Sequence, residues 1–154
     1  MLLVFGFLAQ YMGSCSGSSK TKDKLADKRI KAPHSNPVVY FEIPVNDLDR
    51  AIHFYQAVFG FRFDKDIIDH NQMALFPFVD EYSGISGALA KGEIYKPTKD
   101  GVLVYFNTEN MDETMNAAIS NGGKVLYPKT DNGIGLVAEF EDTEGNRIAL
   151  FQSK

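Results

Sequence analysis

The 154-residue chain has a single cysteine, Cys15, so no disulfide can form within it. It has only three histidines, His34, His53 and His70. By position they fall before the first strand, on a helix and in a turn, where surface histidines are ordinary. No G-x-S-x-G is present, which removes the nucleophile elbow. Phosphate-loop and dinucleotide fingerprints are absent as well. No apolar run reaches the roughly 20 residues of a membrane-spanning helix. Basic charge is scarce except in one stretch. "KTKDKLADKRIK", residues 20–31, carries six Lys/Arg against two Asp, while the rest carries ten against eighteen Asp/Glu. An acidic domain repels phosphate backbones, and the basic stretch has no interleaved aromatics, so nucleic acid is excluded as a partner.

What is present is one domain's worth of chain, 44% apolar and 23% charged, a composition ordinary for a globular protein. It opens with about a dozen mostly apolar residues, "MLLVFGFLAQYM", then "GSCSGSSK". Small residues before Cys15 and a polar tether after it are similar to the lipobox of a bacterial lipoprotein, with Cys15 the lipidated residue. The expectation is a leader and basic tether over residues 1–35, and an exported chain held at the membrane only through that lipid. The alternative is a cytoplasmic protein. Residues 36–154 then form the folded domain.

From Val38 the pattern is regular. Val39, Phe41, Ile43 and Val45 alternate with Tyr40, Glu42 and Pro44, as in a strand. "NDLDRAIHFYQAVFGF" predicts a helix capped by Asn46 or Asp47 and stopped by Gly60. Its stripe is Leu48, Ala51, Ile52, Tyr55, Val58 and Phe59. The strand-like runs "FRFDKDII", "QMALFPFV" and "GISGALA" follow. The programme then repeats 63 residues later, carrying Asp49 onto Asp112 and Gly60 onto Gly123. Val102, Val104, Phe106 and Thr108 share one strand face. Asn110 with Glu113 is a capping box, and Met111, Met115, Ala118 and Ile119 form the second stripe. "KVLYP", "GLVAEFED" and "RIALFQ" complete the module, the last two joined by the turn "DTEGN". The fold class is therefore α+β: two βαβββ modules, 37–92 and 101–152, joined by a linker at 93–100.

"FEIPVNDLDRAIHFYQAVFGF" followed by "EDTEGNRIALF" resembles the glyoxalase/bleomycin-resistance/extradiol-dioxygenase group, the vicinal oxygen chelate superfamily. The resemblance covers residues 37–152. It implies paired curved mixed sheets around a cavity, with helices outside and chemistry on the concave faces. In metal-using members, His and Glu from the first and last strands of each module hold a divalent ion. The matching positions here are Tyr40, Leu103, Ala149 and either Ala88 or Ala90, a set that supplies no imidazole or carboxylate. No metal and no other cofactor is expected.

The carboxylate of Glu42 thus belongs to a cavity face, since an unpaired charge in the apolar layer would cost several kcal/mol. Tyr40, Glu42, Tyr105 and Asn107, with Phe76 and Phe78 from "ALFPFV", are the candidate ligand-binding residues. Such apolar walls with a few polar groups suit a small molecule. Glu42 has three readings: a structural hydrogen bond or ion pair, for which Arg147 is the expected partner; a ligand contact; or a general base. The function expected first is metal-independent binding of a small molecule, as resistance proteins of the superfamily do. The alternatives are a lyase or isomerase using Glu42 as base, and a metal-dependent lyase or dioxygenase. Homodimerisation is the default expectation.

Overall fold

The computed structural model describes residues 38–79 and 84–154. The expected leader, Cys15 and His34 lie outside the described residues. The first module runs β1 (Tyr40–Pro44), α1 (Leu48–Phe59), β2 (Asp64–Ile68), β3 (Asn71–Leu75) and β4 (Ser86–Lys91). The second runs β5 (Val104–Asn107), α2 (Met111–Ser120), β6 (Lys124–Asp131), β7 (Gly135–Glu141) and β8 (Arg147–Ser153). Each module is one four-stranded sheet, ordered β1-β4-β3-β2 and β5-β8-β7-β6. β1 pairs parallel to β4, and β5 parallel to β8, while the remaining pairs are antiparallel. Among the described residues the two sheets do not close on each other, and β1 and β5 each keep an unpaired edge.

Local sequence explains the helices. Asp47 caps α1, its Oδ1 accepting from the Arg50 N–H at 3.0 Å. Gly60 ends it at φ +72°, the left-handed conformation that glycine adopts without penalty. Asn110 caps α2 by accepting from the Glu113 N–H at 3.2 Å. The capping box is only half formed: the Asn110 N–H donates to Thr108 Oγ1 rather than to Glu113. In the β2–β3 hairpin, Asp69 and His70 both take positive φ, which places His70 in a turn.

One face of each sheet packs under its helix. Ile43, Ala74, Phe76 and Leu89 meet Ala51, Phe54, Tyr55 and Val58, while Ala138, Phe140, Ile148 and Leu150 meet Met111, Met115 and Ala118, all in a single merged core. Rings unite the halves: Phe54 lies 5.8 Å from Phe140, and Phe59 lies 4.9 Å from Phe106. Three expected core residues are exposed instead. Val39 and Val102 precede the ladders, which start at Tyr40 and Val104, and they are 80% and 92% exposed. Ile119 sits in the last turn of α2 and faces solvent, while Thr114 is buried and pairs with Thr108 through their hydroxyls at 2.7 Å.

The turn 142–146 between β7 and β8 clamps the second module to the first. Glu144 has a fully buried carboxylate that accepts from Arg50 Nε at 2.7 Å and Nη2 at 3.0 Å, and from the N–H groups of Asn46 and Asp47 at 2.9 Å each. Asp142 accepts from Tyr55 Oη at 3.0 Å, and Asn146 donates to the Pro44 carbonyl at 2.8 Å. Burial pushes the Asp142 carboxyl above its usual range, against the opposing pull of donors from Asn146, Tyr55 and Glu144. Gly145, at φ +97°, allows the chain to reverse between these groups. Because the folded-state shift of Asp142 is upward, its charge opposes folding above that raised pKa, and acidification relieves the opposition. Glu141 shifts the other way, held down first by its hydrogen bond to Lys99, so its contribution is lost as pH falls through its lowered pKa.

Replacing Glu144 with Ala removes the acceptor shared by the Arg50 guanidinium and two N–H donors, and should cost roughly 2–4 kcal/mol in urea unfolding. Tyr55→Phe should cost about 1–2 kcal/mol by leaving Asp142 one donor short. A loss below 0.5 kcal/mol in both (roughly the effect of a surface change) would show that the clamp does not hold the modules together.

Candidate functional site

β1 divides its side chains between two environments. Ile43 and Val45 are buried beneath α1, whereas Tyr40 and Glu42 are exposed on the opposite, helix-free face. Pairing extends that face across the sheet: Glu42 lies beside Ala88, which lies beside Leu75, while Pro44 lies beside Ala90 and then Met73. In the second sheet the matching row is Tyr105, Ala149, Glu139 and Tyr127.

Glu42 is not paired with Arg147. Arg147 pairs with Glu139 on the neighbouring strand β7, two positions along the same face. A short cross-strand path is available to it there, and Glu42 belongs to the other sheet. The partner of Glu42 comes from the connection between β4 and β5: Tyr95 Oη donates to Glu42 Oε2 at 2.7 Å. That bond, followed by partial burial and the Glu42 charge, pushes the Tyr95 phenol up to about 12. The Tyr95 ring packs on a small cluster of Met73, Ala88 and Ala90, with Leu75 beside it. Tyr40 shows a smaller upward shift, from burial and then from Glu42.

The six candidate residues do not share one cavity. Tyr40 and Glu42 line a cleft of about 410 Å³ together with Thr98, Asn146 and Arg147. Phe76, Tyr105 and Asn107 line a second cleft of about 570 Å³, whose walls include Phe41, Phe61 and Phe106. Val38, Phe41, Val102 and Val104 border both, so the two openings flank the seam between β1 and β5. Phe78, 62% exposed, lines neither, because β3 ends at Leu75 and the chain has left the sheet. Phe76 is buried and presents its ring to Phe41, Phe63 and Phe106. A further cleft of about 520 Å³ lies by the start of α1 and is lined by Asp47, Asp49, Lys65, Asp66 and Lys91 among others.

The residues at the metal-binding positions do not fit a metal. Ala88 and Ala149 present methyl groups beside Glu42 and Tyr105 respectively, and Leu103 is aliphatic. Among the described residues, no group of three His, Cys, Asp or Glu side chains converges to hold an ion. His53 is exposed on α1 and His70 is exposed at its hairpin. Also among the described residues, no helix is long and apolar enough to cross a membrane.

The profile of the Glyoxalase/Bleomycin resistance protein/Dioxygenase superfamily matches residues 38–150. The chain belongs to this superfamily. A glyoxylase-like domain-containing protein of Didymella fabae is 32% identical over 114 residues, covering 71% of this chain and 88% of that protein. Two solved structures share the fold of this superfamily member. One is a glyoxylase/bleomycin resistance protein/dioxygenase domain from a Frankia species, with TM-score 0.61, 17% identity, and coverage of 78% of this chain and 99% of the other. The second is an antibiotic-binding protein from a Streptomyces species, with TM-score 0.57, 22% identity, and coverage of 80% and 100%. The superfamily fold thus accounts for the two βαβββ modules and their paired, unclosed sheets.

Sequence reasoning missed Tyr95, which stands in "YKPTKD", a stretch that reads as a linker. Its only signal was an aromatic in an otherwise polar segment. It also missed Phe41 and Phe61 as cleft walls, since alternation assigns Phe41 to the core alone. In a double-mutant cycle by urea unfolding, Tyr95→Phe and Glu42→Gln should show a coupling of about 0.5–1.5 kcal/mol at pH 7. The phenol pKa is raised on folding, so the coupling measured at pH 7 should persist up to about pH 10 and disappear as pH rises through about 12. Strictly additive variants would mean that the bond does not form in solution.

Proposed function

We propose that this superfamily member binds a small aromatic or amphipathic molecule, without a metal, in the seam between its two modules. One observation carries the reading: the 570 Å³ cleft opens onto the rings of Phe41, Phe61, Phe76 and Phe106, with the polar groups of Tyr105 and Asn107 among its walls. Apolar walls with a few polar groups are what small-molecule sites use. The alanine and leucine side chains at the ligand positions support metal independence. The superfamily likeness to an antibiotic-binding protein supports the ligand class. The reading includes a lipid on Cys15 as the membrane attachment and a homodimer as the assembled form, each open to direct measurement by acyl labelling and by light scattering on a sizing column.

A second reading keeps Glu42 as the general base of a lyase or isomerase. It is favoured by the 2.7 Å contact to Tyr95, which sets a carboxylate and a phenol side by side at the edge of a cleft. Glu42→Gln would then abolish turnover and leave binding nearly intact.

The chain has seven tyrosines, Tyr105 among them, and no tryptophan, so its own emission is tyrosine emission. The neutral apolar probe N-phenyl-1-naphthylamine should quench that emission saturably, and Leu103→Glu should weaken its binding by about tenfold, as a charge placed in an apolar wall requires. Failure of the probe to saturate would overturn the seam as a binding site. After incubation with zinc, nickel, manganese or ferrous iron and desalting, residues 32–154 should keep no ion. Near-stoichiometric retention of one would restore the metal-dependent lyase or dioxygenase.

A further inference from the structure

The helix-free face of the first sheet already holds a ligand-like group, and it is the chain's own. β4 carries Ala88 and Ala90 on this face, each with no exposed surface. Two methyl groups in succession make a low floor. Met73 and Leu75 stand beside it on β3, and Glu42 stands on the other side on β1. The ring of Tyr95 lies on that floor, and its hydroxyl reaches the Glu42 carboxylate. Tyr95 belongs to neither sheet. It is carried by the connection between β4 and β5, which is tied at Gly92, where the Tyr95 N–H donates to the Gly92 carbonyl at 3.2 Å. Further on, Asn146 Oδ1 accepts from the Thr98 N–H at 3.1 Å, and Lys99 pairs with Glu141 at 3.1 Å.

The contacts that place the Tyr95 side chain are ones any phenol could make: an apolar floor and a charged acceptor for its hydroxyl. Hydrogen bonds to a carboxylate are the stronger class, and an acceptor-only group selects donors over anions. We infer that this face is a binding site for phenolic compounds, that Tyr95 occupies it as a tethered stand-in, and that an incoming phenol displaces Tyr95 from Glu42. This goes beyond the seam site, since the seam cleft and the Ala88–Ala90 floor are lined by different residues. The strap acts by competition: the tethered ring is present at high effective concentration, so a free phenol binds the unaltered chain more weakly than it would an open floor. The upward shift of the Tyr95 phenol accords with this, since the bond is complete only while the hydroxyl keeps its proton.

The test uses 4-methylphenol, with toluene as the control lacking the hydroxyl, on the full chain and on Tyr95→Ala. Removing the ring should let 4-methylphenol bind at least tenfold more tightly than to the unaltered chain, by ligand-observed NMR, and raise the thermal midpoint of the variant alone. Toluene should bind the variant about tenfold more weakly than the phenol, the value of one charge-assisted hydrogen bond. Adding Glu42→Gln should erase that preference. A folded Tyr95→Ala chain that binds 4-methylphenol no better than the unaltered one, or binds toluene equally well, overturns the inference. Should Tyr95→Ala fail to fold, Tyr95→Phe keeps the ring but unties it from Glu42, and phenol affinity must then rise by a few-fold; no rise overturns the inference. N-phenyl-1-naphthylamine bound in the seam should be indifferent to Tyr95→Ala. If that probe binds and the phenol arm fails, the seam site stands and the phenol site falls. The converse leaves the phenol site standing alone.

Discussion

The rest of this architecture depends on the carboxylate of Glu144. It is fully buried, so its charge must be met completely, and apart from a long 3.5 Å contact from the Thr143 hydroxyl the groups that meet it come from the first module: the Arg50 guanidinium and the N–H groups that open α1. Leaving it unmet would cost several kcal/mol. A turn of the second module is therefore fixed against the start of α1. Asp142 and Asn146 add further contacts between the modules, through the Tyr55 hydroxyl and the Pro44 carbonyl. Rings meeting between α1, β5 and β7 then complete a core that neither module could bury alone.

This clamp is also what creates the seam. Fixing the 142–146 turn beside the end of β1 brings β5 and β8 to the flank of β1 without letting the two edges pair. A sheet edge left unpaired beside another leaves a gap, and in this molecule side chains of both modules line it. On one side the gap reaches the aromatic core through Phe41 and Phe106. On the other it meets Glu42 and Arg147. Apolar and polar openings are thus two consequences of the same docking geometry.

The charged residues of the helix-free faces are satisfied locally within each half. Arg147 reaches Glu139 across an adjacent strand, and Glu42 meets a phenol supplied by the connecting segment. The pair expected from alternation alone, Glu42 with Arg147, would have to bridge two sheets whose edges do not pair, and a nearer carboxylate was available to the arginine. Glu42 also lines a cleft with Tyr40, which is why this carboxylate belongs to both the ligand-site and the general-base readings.

Periodicity in the chain was enough to determine the two βαβββ modules, most of the α1 stripe, the Gly60 stop and the assignment of Tyr40 and Glu42 to the face opposite Ile43 and Val45. Those features follow from local spacing: a period of two in the strands, 3.6 in the helices, and cap residues where the periods change. The motif "D-T-E-G-N" was visible as a turn, but its part in joining the modules was not, because its partners Arg50 and Tyr55 stand about ninety positions earlier, as the separations of 94 and 87 residues record. The division of the candidate residues between two clefts, the departure of Phe78 and the placing of Tyr95 against Glu42 were decided only by tertiary structure. Each depends on where separate segments end up after docking, and neither composition nor spacing along the chain carries that distance.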